Sequence, residues 1–127
     1  MTITLYGNTP SKKNSQVIGR GGRRLFPNPL YGSWYRKNFG KKIGRLKDHV
    51  ETYREQIKLI KRRPMFLEMY FFRRDKRRFD YINLAQSVQD ALVQSKIIPD
   101  DNMTQIIPLF LGYKVDFTNP RCEVKIN

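Results

Sequence analysis

Apolar residues recur along this chain in two rhythms, every second position in some stretches and every third or fourth in others. Thr2–Tyr6 alternates polar and apolar side chains, as a half-buried strand does. The polar stretch G-N-T-P-S-K-K-N-S over 7–15 is a loop, broken by Pro10 and carrying Lys12 and Lys13 at its tip. Residues 16–26 read as a hairpin with Val17-Ile18 and Leu25-Phe26 as apolar ends. Gly19, Gly21 and Gly22 supply its turn without fixing the register, and Pro27 and Pro29 end it. A turn or short helix is expected over 33–39, set off by Gly40. Ile43, Leu46, Val50, Tyr53, Ile57 and Ile60 then recur at steps of three and four, which predicts one amphipathic helix. Its other face carries Arg45, Lys47, Lys58 and Lys61, and the apolar stripe reads as core packing or a dimer contact.

Pro64 stops that helix. Residues 65–72, M-F-L-E-M-Y-F-F, are too few and too aromatic for another and predict a largely buried strand. A second clear helix is predicted over 80–96, closed by Pro99. Ile82, Ala85, Val88 and Leu92 line one of its faces, and Asn83, Gln86, Asp90 and Gln94 another. Ile106–Val115 and 122–126 predict two last strands, separated by turn residues over 116–120. Strands at both ends with helices between define an α+β class: one small domain over 1–127, a mixed sheet against two main helices.

Composition narrows the partners. The chain holds 25 Lys and Arg against 11 Asp and Glu, a net charge of +14. That balance favours a polyanion, meaning nucleic acid or an anionic membrane surface. The basic residues are spread among loops instead of forming one amphipathic helix face, which counts against the membrane surface. No stretch approaches the roughly 18–20 apolar residues of a membrane-spanning helix. The opening MTITLYG lacks the features of a signal peptide, so an intracellular, cytoplasmic and nucleoid-associated protein is expected. A single cysteine, Cys122, allows no internal disulfide and no cysteine-rich zinc site. The single histidine, His49, falls in a predicted helix and reads as a surface or half-buried residue. Catalysis, if any, would rest on carboxylates.

The carboxylates of interest follow the densest positive charge. Arg73, Arg74, Lys76, Arg77 and Arg78 lead into Asp80, and Asp100 and Asp101 lie beyond the helix. Asp80 fits an N-cap whose carboxylate accepts hydrogen bonds from the first-turn amides. Asn83, one turn on, is close enough to share a ligand with it. Asp100 and Asp101 join that site only if the chain folds back, as pairing of 65–72 with Ile106–Val115 would permit. Carboxylates among cations suit metal-assisted chemistry on a phosphate backbone: Asp holds Mg²⁺ or Mn²⁺ while Lys and Arg hold the polyanion. A solvated basic loop, a capped helix and an ordinary Asp100-Asp101-Asn102 turn describe the same residues. Asp90, mid-helix, reads as structural or as a minor supporting residue. Tyr31, Trp34, Tyr35 and Phe39 either stack on unpaired bases or, more often for such residues, complete a small core.

Taken whole, R-R-F-D-Y-I-N-L-A-Q-S-V-Q-D-A-L-V-Q-S-K-I-I-P-D-D-N resembles the RusA family of Holliday-junction resolvases. That family has a basic segment before a D-x-D-N-L-type motif that opens a helix, then D-A-L and a D-D pair. Asp80 matches the first motif Asp, Asn83 the Asn, Asp90-Ala91-Leu92 the D-A-L, and Asp101 the second Asp of the pair. P-S-K-K-N-S is similar to the family's N-terminal loop. The resemblance implies a RusA-like fold, a homodimer, a branched-DNA substrate and Mg²⁺- or Mn²⁺-dependent hydrolysis that nicks a four-way junction in pairs. It implies Asp80, Asp101 and Asp100 as catalytic and metal-binding residues, with Asn83 offering a neutral oxygen. Lys12, Lys13, Arg73, Arg74, Lys76, Arg77, Arg78 and Gln86 would then lie on DNA, and a prophage setting is an expectation of the same kind. Three positions depart from the pattern: Ile82 stands where the second motif Asp is expected, Gln86 where a lysine is, and Phe79 where a basic residue is. A non-catalytic junction- or nucleic-acid-binding protein with a degenerate metal site is the alternative.

Overall fold

The computed structural model describes residues 1–11, 16–18, 25–27 and 29–127. Along the chain run β1 (Thr2–Tyr6), β2 (Gln16–Ile18), β3 (Leu25–Pro27), α1 (Pro29–Phe39), α2 (Val50–Leu59), β4 (Met65–Arg73), α3 (Tyr81–Gln94), β5 (Ile106–Val115) and β6 (Arg121–Ile126). The strands β2 and β3 pair antiparallel as the hairpin predicted over 16–26, with the glycine-rich turn lying outside the described residues.

The aromatic run at 65–72 becomes β4, the inner strand of a four-stranded sheet ordered β1-β6-β4-β5. Met65, Leu67, Met69 and Phe71 are all fully buried, while the residues between them are half-exposed. Cys122, Val124 and Ile126 of β6 lie opposite β4 on the same buried face, and Ile3 and Leu5 of β1 extend it. Leu84, Val88, Ala91 and Leu92 of α3 complete this core, each burial contributing about 1.5–3 kcal/mol for a large side chain. Cys122 is wholly buried, and burial pushes its thiol pKa up, so it is an inert core residue.

Strands β1, β6 and β4 pair antiparallel, whereas β4 and β5 run parallel, making the sheet mixed. Parallel neighbours need a crossover, and α3 provides it. Across from β4, Met69 faces Phe110 and Tyr70 faces Gly112, so Leu111 is an extra residue in β5. Gly112 takes φ +134 there, with a Tyr70 ring atom 3.5 Å from where its Cβ would stand.

The helices differ from expectation in three ways. First, the helix expected over 43–60 is only α2. Residues 41–49 instead coil against the end of α1, through Arg45 N–H to Lys37 O (2.9 Å) and Leu46 N–H to Asn38 O (2.7 Å). Gly44 permits this, since a Cβ on it would stand 2.5 Å from the backbone nitrogen of Gly40. Leu46 still reaches the core, but Ile43 is 76% exposed. Second, α1 begins at Pro29 rather than near 33, because proline suits a first helical position where no amide partner is required. The described residues thus form three helices, the expected shorter one having grown to the 11 residues of α1. Third, Ile82 is 72% exposed and does not share α3's apolar face. Positions three apart drift about 60° per step on a helix, so Ile82 falls away from the stripe centred on Leu84, Val88 and Ala91. Among the described residues no helix is long and apolar enough to cross a membrane.

Candidate nucleic-acid interface and carboxylate site

The site starts where β4 ends. Arg73 is half-buried, donates from Nη1 to Thr9 O (2.6 Å) and lies over the Phe79 ring at 5.0 Å. Burial lowers its pKa, but a guanidinium starts so high that it stays cationic. Asn8 Oδ1 accepts from Arg74 N–H (3.0 Å), and the buried Ser87 of α3 donates from Oγ to Pro10 O (2.6 Å). The turn over 7–10 is therefore fixed from both sides, against β4's end and against α3.

Between this turn, the 73–78 loop and the start of α3 lies a cavity of about 320 Å³ whose lining includes Arg73, Arg74, Arg77, Arg78, Asp80 and Asn83. Two aspartates share this neighbourhood and behave differently. Asp75 accepts from Arg77 N–H (3.0 Å) and pairs with the Nε atoms of Arg74 (3.5 Å) and Arg77 (3.9 Å). The backbone bond from Arg77, then the guanidinium charges, hold its pKa below the ordinary carboxylate value. Asp80 has the N-cap position, as expected, with φ −103 and ψ 127. It makes no side-chain cap hydrogen bond, contrary to expectation. Its Oδ2 instead accepts from Asn83 Nδ2 at 3.3 Å, leaving the carboxylate exposed and without an ion pair among the described residues.

Lys76, Arg77, Arg78 and Gln86 are all exposed. Lys12 and Lys13 lie outside the described residues.

The other carboxylates sit elsewhere. Asp100 is used by its own turn: Oδ1 accepts from Asp101 N–H (2.7 Å) and Oδ2 from Asn102 Nδ2 (2.9 Å). Asp101 is exposed at its surface, yet partial burial, then the hydrogen bond and charge of Asp100, raise its pKa. Asp90 adds a smaller push in the same direction.

Asp80 follows the Arg73 end of β4, and Asp101 precedes the Ile106 start of β5. Since β4 and β5 are parallel, those are opposite ends of the sheet, separated by α3 with its 14 residues, about 21 Å of helix. The strands pair where the sequence places them, but their parallel sense keeps the two acidic groups apart within one chain. Among the described residues, no three His, Cys, Asp or Glu side chains gather where they could hold a metal. Mg²⁺ or Mn²⁺ thus meets two oxygen donors at each end of α3, and one chain's residues fit such an ion only in part.

One feature lay outside the sequence reading. An open hollow of about 600 Å³, lined by Tyr81, Ile82, Asn83, Phe110 and their neighbours, adjoins Asp80. Tyr81 stacks on Phe110 at 5.5 Å, and Phe79 meets Tyr113 edge-on at 5.0 Å. The available signal was the uncharged run I-I-P-L-F-L-G-Y over 106–113 in so basic a chain.

No protein-family model matches the chain, and no curated protein aligns with it significantly.

Proposed function

We propose that this protein is a metal-dependent, structure-selective DNA endonuclease that acts on four-way junctions as a homodimer. The observation that carries the reading is Asp80: an exposed carboxylate at an arginine-lined cavity that neither caps its helix nor, among the described residues, pairs with a cation. The loop's ion pairs to Arg74 and Arg77 are made by Asp75 instead.

In this reading Arg74, Lys76, Arg77 and Arg78 hold flanking phosphates and position DNA without reading its sequence. Asp80 and Asn83 offer one carboxylate and one neutral oxygen, a set compatible with Mg²⁺, which commonly takes only one or two carboxylates and completes its shell with water and phosphate. The bound ion would neutralise charge on the scissile phosphate and make its water more acidic. Asp101 joins from a second copy. Among the described residues the outer edge of β5 is unpaired over its ten residues, residues 106–113 carry no charge, and Ile107, Phe110, Leu111 and Tyr113 are exposed. Such an edge invites another strand. Antiparallel pairing of β5 with its two-fold mate would bring the partner copy's 100–101 turn to the Asp80 end of the sheet.

The test is a synthetic four-way junction and a matching linear duplex, each with Mg²⁺, Mn²⁺ or chelator. Paired nicks in the junction alone, dependent on metal and lost in Asp80→Asn, are expected. Junction binding without nicks under either metal would overturn the enzyme and leave the second reading, a binding protein with a degenerate metal site. The exposed Ile82, which offers no ligand beside Asp80, is the observation on that side.

A further inference from the structure

We infer that the cleft between α1 and the 7–10 turn is a phosphate subsite, filled by a phosphate group of the nucleic-acid strand that lies in the arginine-lined cavity. This inference rests on the nucleic-acid reading above and adds a binding site to it. The cleft has a volume of about 340 Å³ and shares Asn8 and Arg74 with that cavity, so the two are neighbours.

Its chemistry is that of an anion site. Among the described residues, Lys37 and Arg74 are its charged lining residues and no acidic side chain lines it. Lys37 is exposed, without an ion pair among the described residues. The first turn of α1 carries no acidic residue, and Leu30 and Ser33 bring that turn to the cleft. The positive end of the helix dipole therefore adds to the two cations.

The second observation is independent of charge. Trp34 lines the cleft and is 4% exposed, yet its indole Nε1 has no hydrogen-bond partner. Buried donors are nearly always satisfied, so an orphan N–H on a cavity wall points to an acceptor that arrives with a ligand. Cδ1, bonded to Nε1, stands 3.4 Å from where a Cβ on Gly7 would be, so this part of the indole lies beside the Gly7 wall of the cleft. Gly7 holds φ +92 and lends the cleft an open wall that a side chain would fill. A phosphate oxygen is an acceptor of the required kind, and Lys37 and Arg74 would neutralise it. The remaining walls include Pro10, Leu30 and Pro120, an apolar surface suited to sugar carbons.

Trp34 is the single tryptophan, so its emission reports on this cleft alone. The full chain, with chelator present, is titrated with a single-stranded oligonucleotide bearing a 5′-phosphate, with the same strand lacking it, and with inorganic phosphate. Labelled-strand anisotropy follows overall binding in parallel. A saturable change in Trp34 emission that tracks anisotropy is expected. If both strands cause it, the site takes an internal phosphodiester; if only the phosphorylated strand does, it takes a terminal phosphate. Lys37→Ala should weaken binding about three- to ten-fold and reduce the slope of log affinity against log salt by about 0.7. Ser33→Glu, also at an exposed position, should weaken it at least as much by placing a negative charge in the cleft. Binding with unchanged emission, and with neither variant affecting affinity or salt slope, overturns the subsite while leaving the basic cavity as the binding surface. A response to inorganic phosphate at lower concentration than to either strand overturns the nucleic-acid assignment of the cleft. Absence of strand binding altogether overturns both this subsite and the function it rests on.

Discussion

Asp75 and Asp80 are five positions apart in one basic loop, and the fold gives them opposite lots. Asp75 is spent on Arg74 and Arg77, whereas Asp80 keeps its charge facing outward. Asp75→Asn should therefore free two guanidinium groups and tighten DNA binding while cleavage persists, as filter binding and nicking assays on one junction would show. Asp101→Asn should abolish cleavage and leave junction binding intact or tighter, because it removes a ligand and a negative charge near DNA. Weaker binding with unchanged cleavage would remove Asp101 from the site. Sequence could place Asp80 at a helix start, because a period of 3.6 and a polar residue before it are visible in one dimension. It could not reveal that the side chain declines to cap. That choice is a rotamer, in which Asp80 accepts from the side chain of Asn83.

At the scale of elements, regular periodicity was read well and local close packing was not. The strands at Thr2–Tyr6, 65–72, Ile106–Val115 and 122–126 follow from alternation and aromatic content. Ile43 and Leu46 keep a helical spacing by coincidence, and only the contact of Gly44 with Gly40 shows why no helix runs through them. A comparable tie is Asn38, buried at the end of α1. Its Oδ1 accepts from Tyr6 N–H (2.7 Å), and its Nδ2 donates to Tyr6 O (3.0 Å) and Trp34 O (3.0 Å). Asn38→Ala leaves the edge of β1 and the end of α1 unsatisfied and should cost about 1–3 kcal/mol, measured by urea unfolding. The β5–β6 connection makes a pH prediction. Backbone N–H of Asn119 and the Thr118 hydroxyl, then Arg121, hold the Asp116 pKa below its ordinary value. A depressed folded-state pKa means stability present above the unfolded value of 3.8 and lost as pH falls through the folded one. Melting temperature followed downward from pH 5 should fall less steeply in Asp116→Asn than in the parent chain.

The whole molecule poses the question its parts leave: two carboxylate groups on opposite ends of one helix and, among the described residues, an apolar strand with its outer edge open. A second copy paired along β5 answers both at once, and two experiments separate that arrangement from a single-chain site. Leu111, 56% exposed and extra to the β4 register, can be changed without disturbing the buried face. Leu111→Lys should shift sedimentation toward the monomer and remove nicking, while binding of the single chain to DNA persists. The sharper experiment mixes two inactive proteins, Asp80→Asn and Asp101→Asn. In a dimer with shared sites, a mixed pair places both substitutions in one site and restores the other, with Asp80 from one chain and Asp101 from its mate. Random exchange makes about half the dimers mixed, so roughly a quarter of the sites regain activity, and nicks appear singly instead of in opposed pairs. Sites confined to one chain gain nothing from mixing, because each chain would still lack a ligand of its own. Restored nicking thus requires a second copy, and its absence in a mixture shown to exchange subunits would confine each site to one chain.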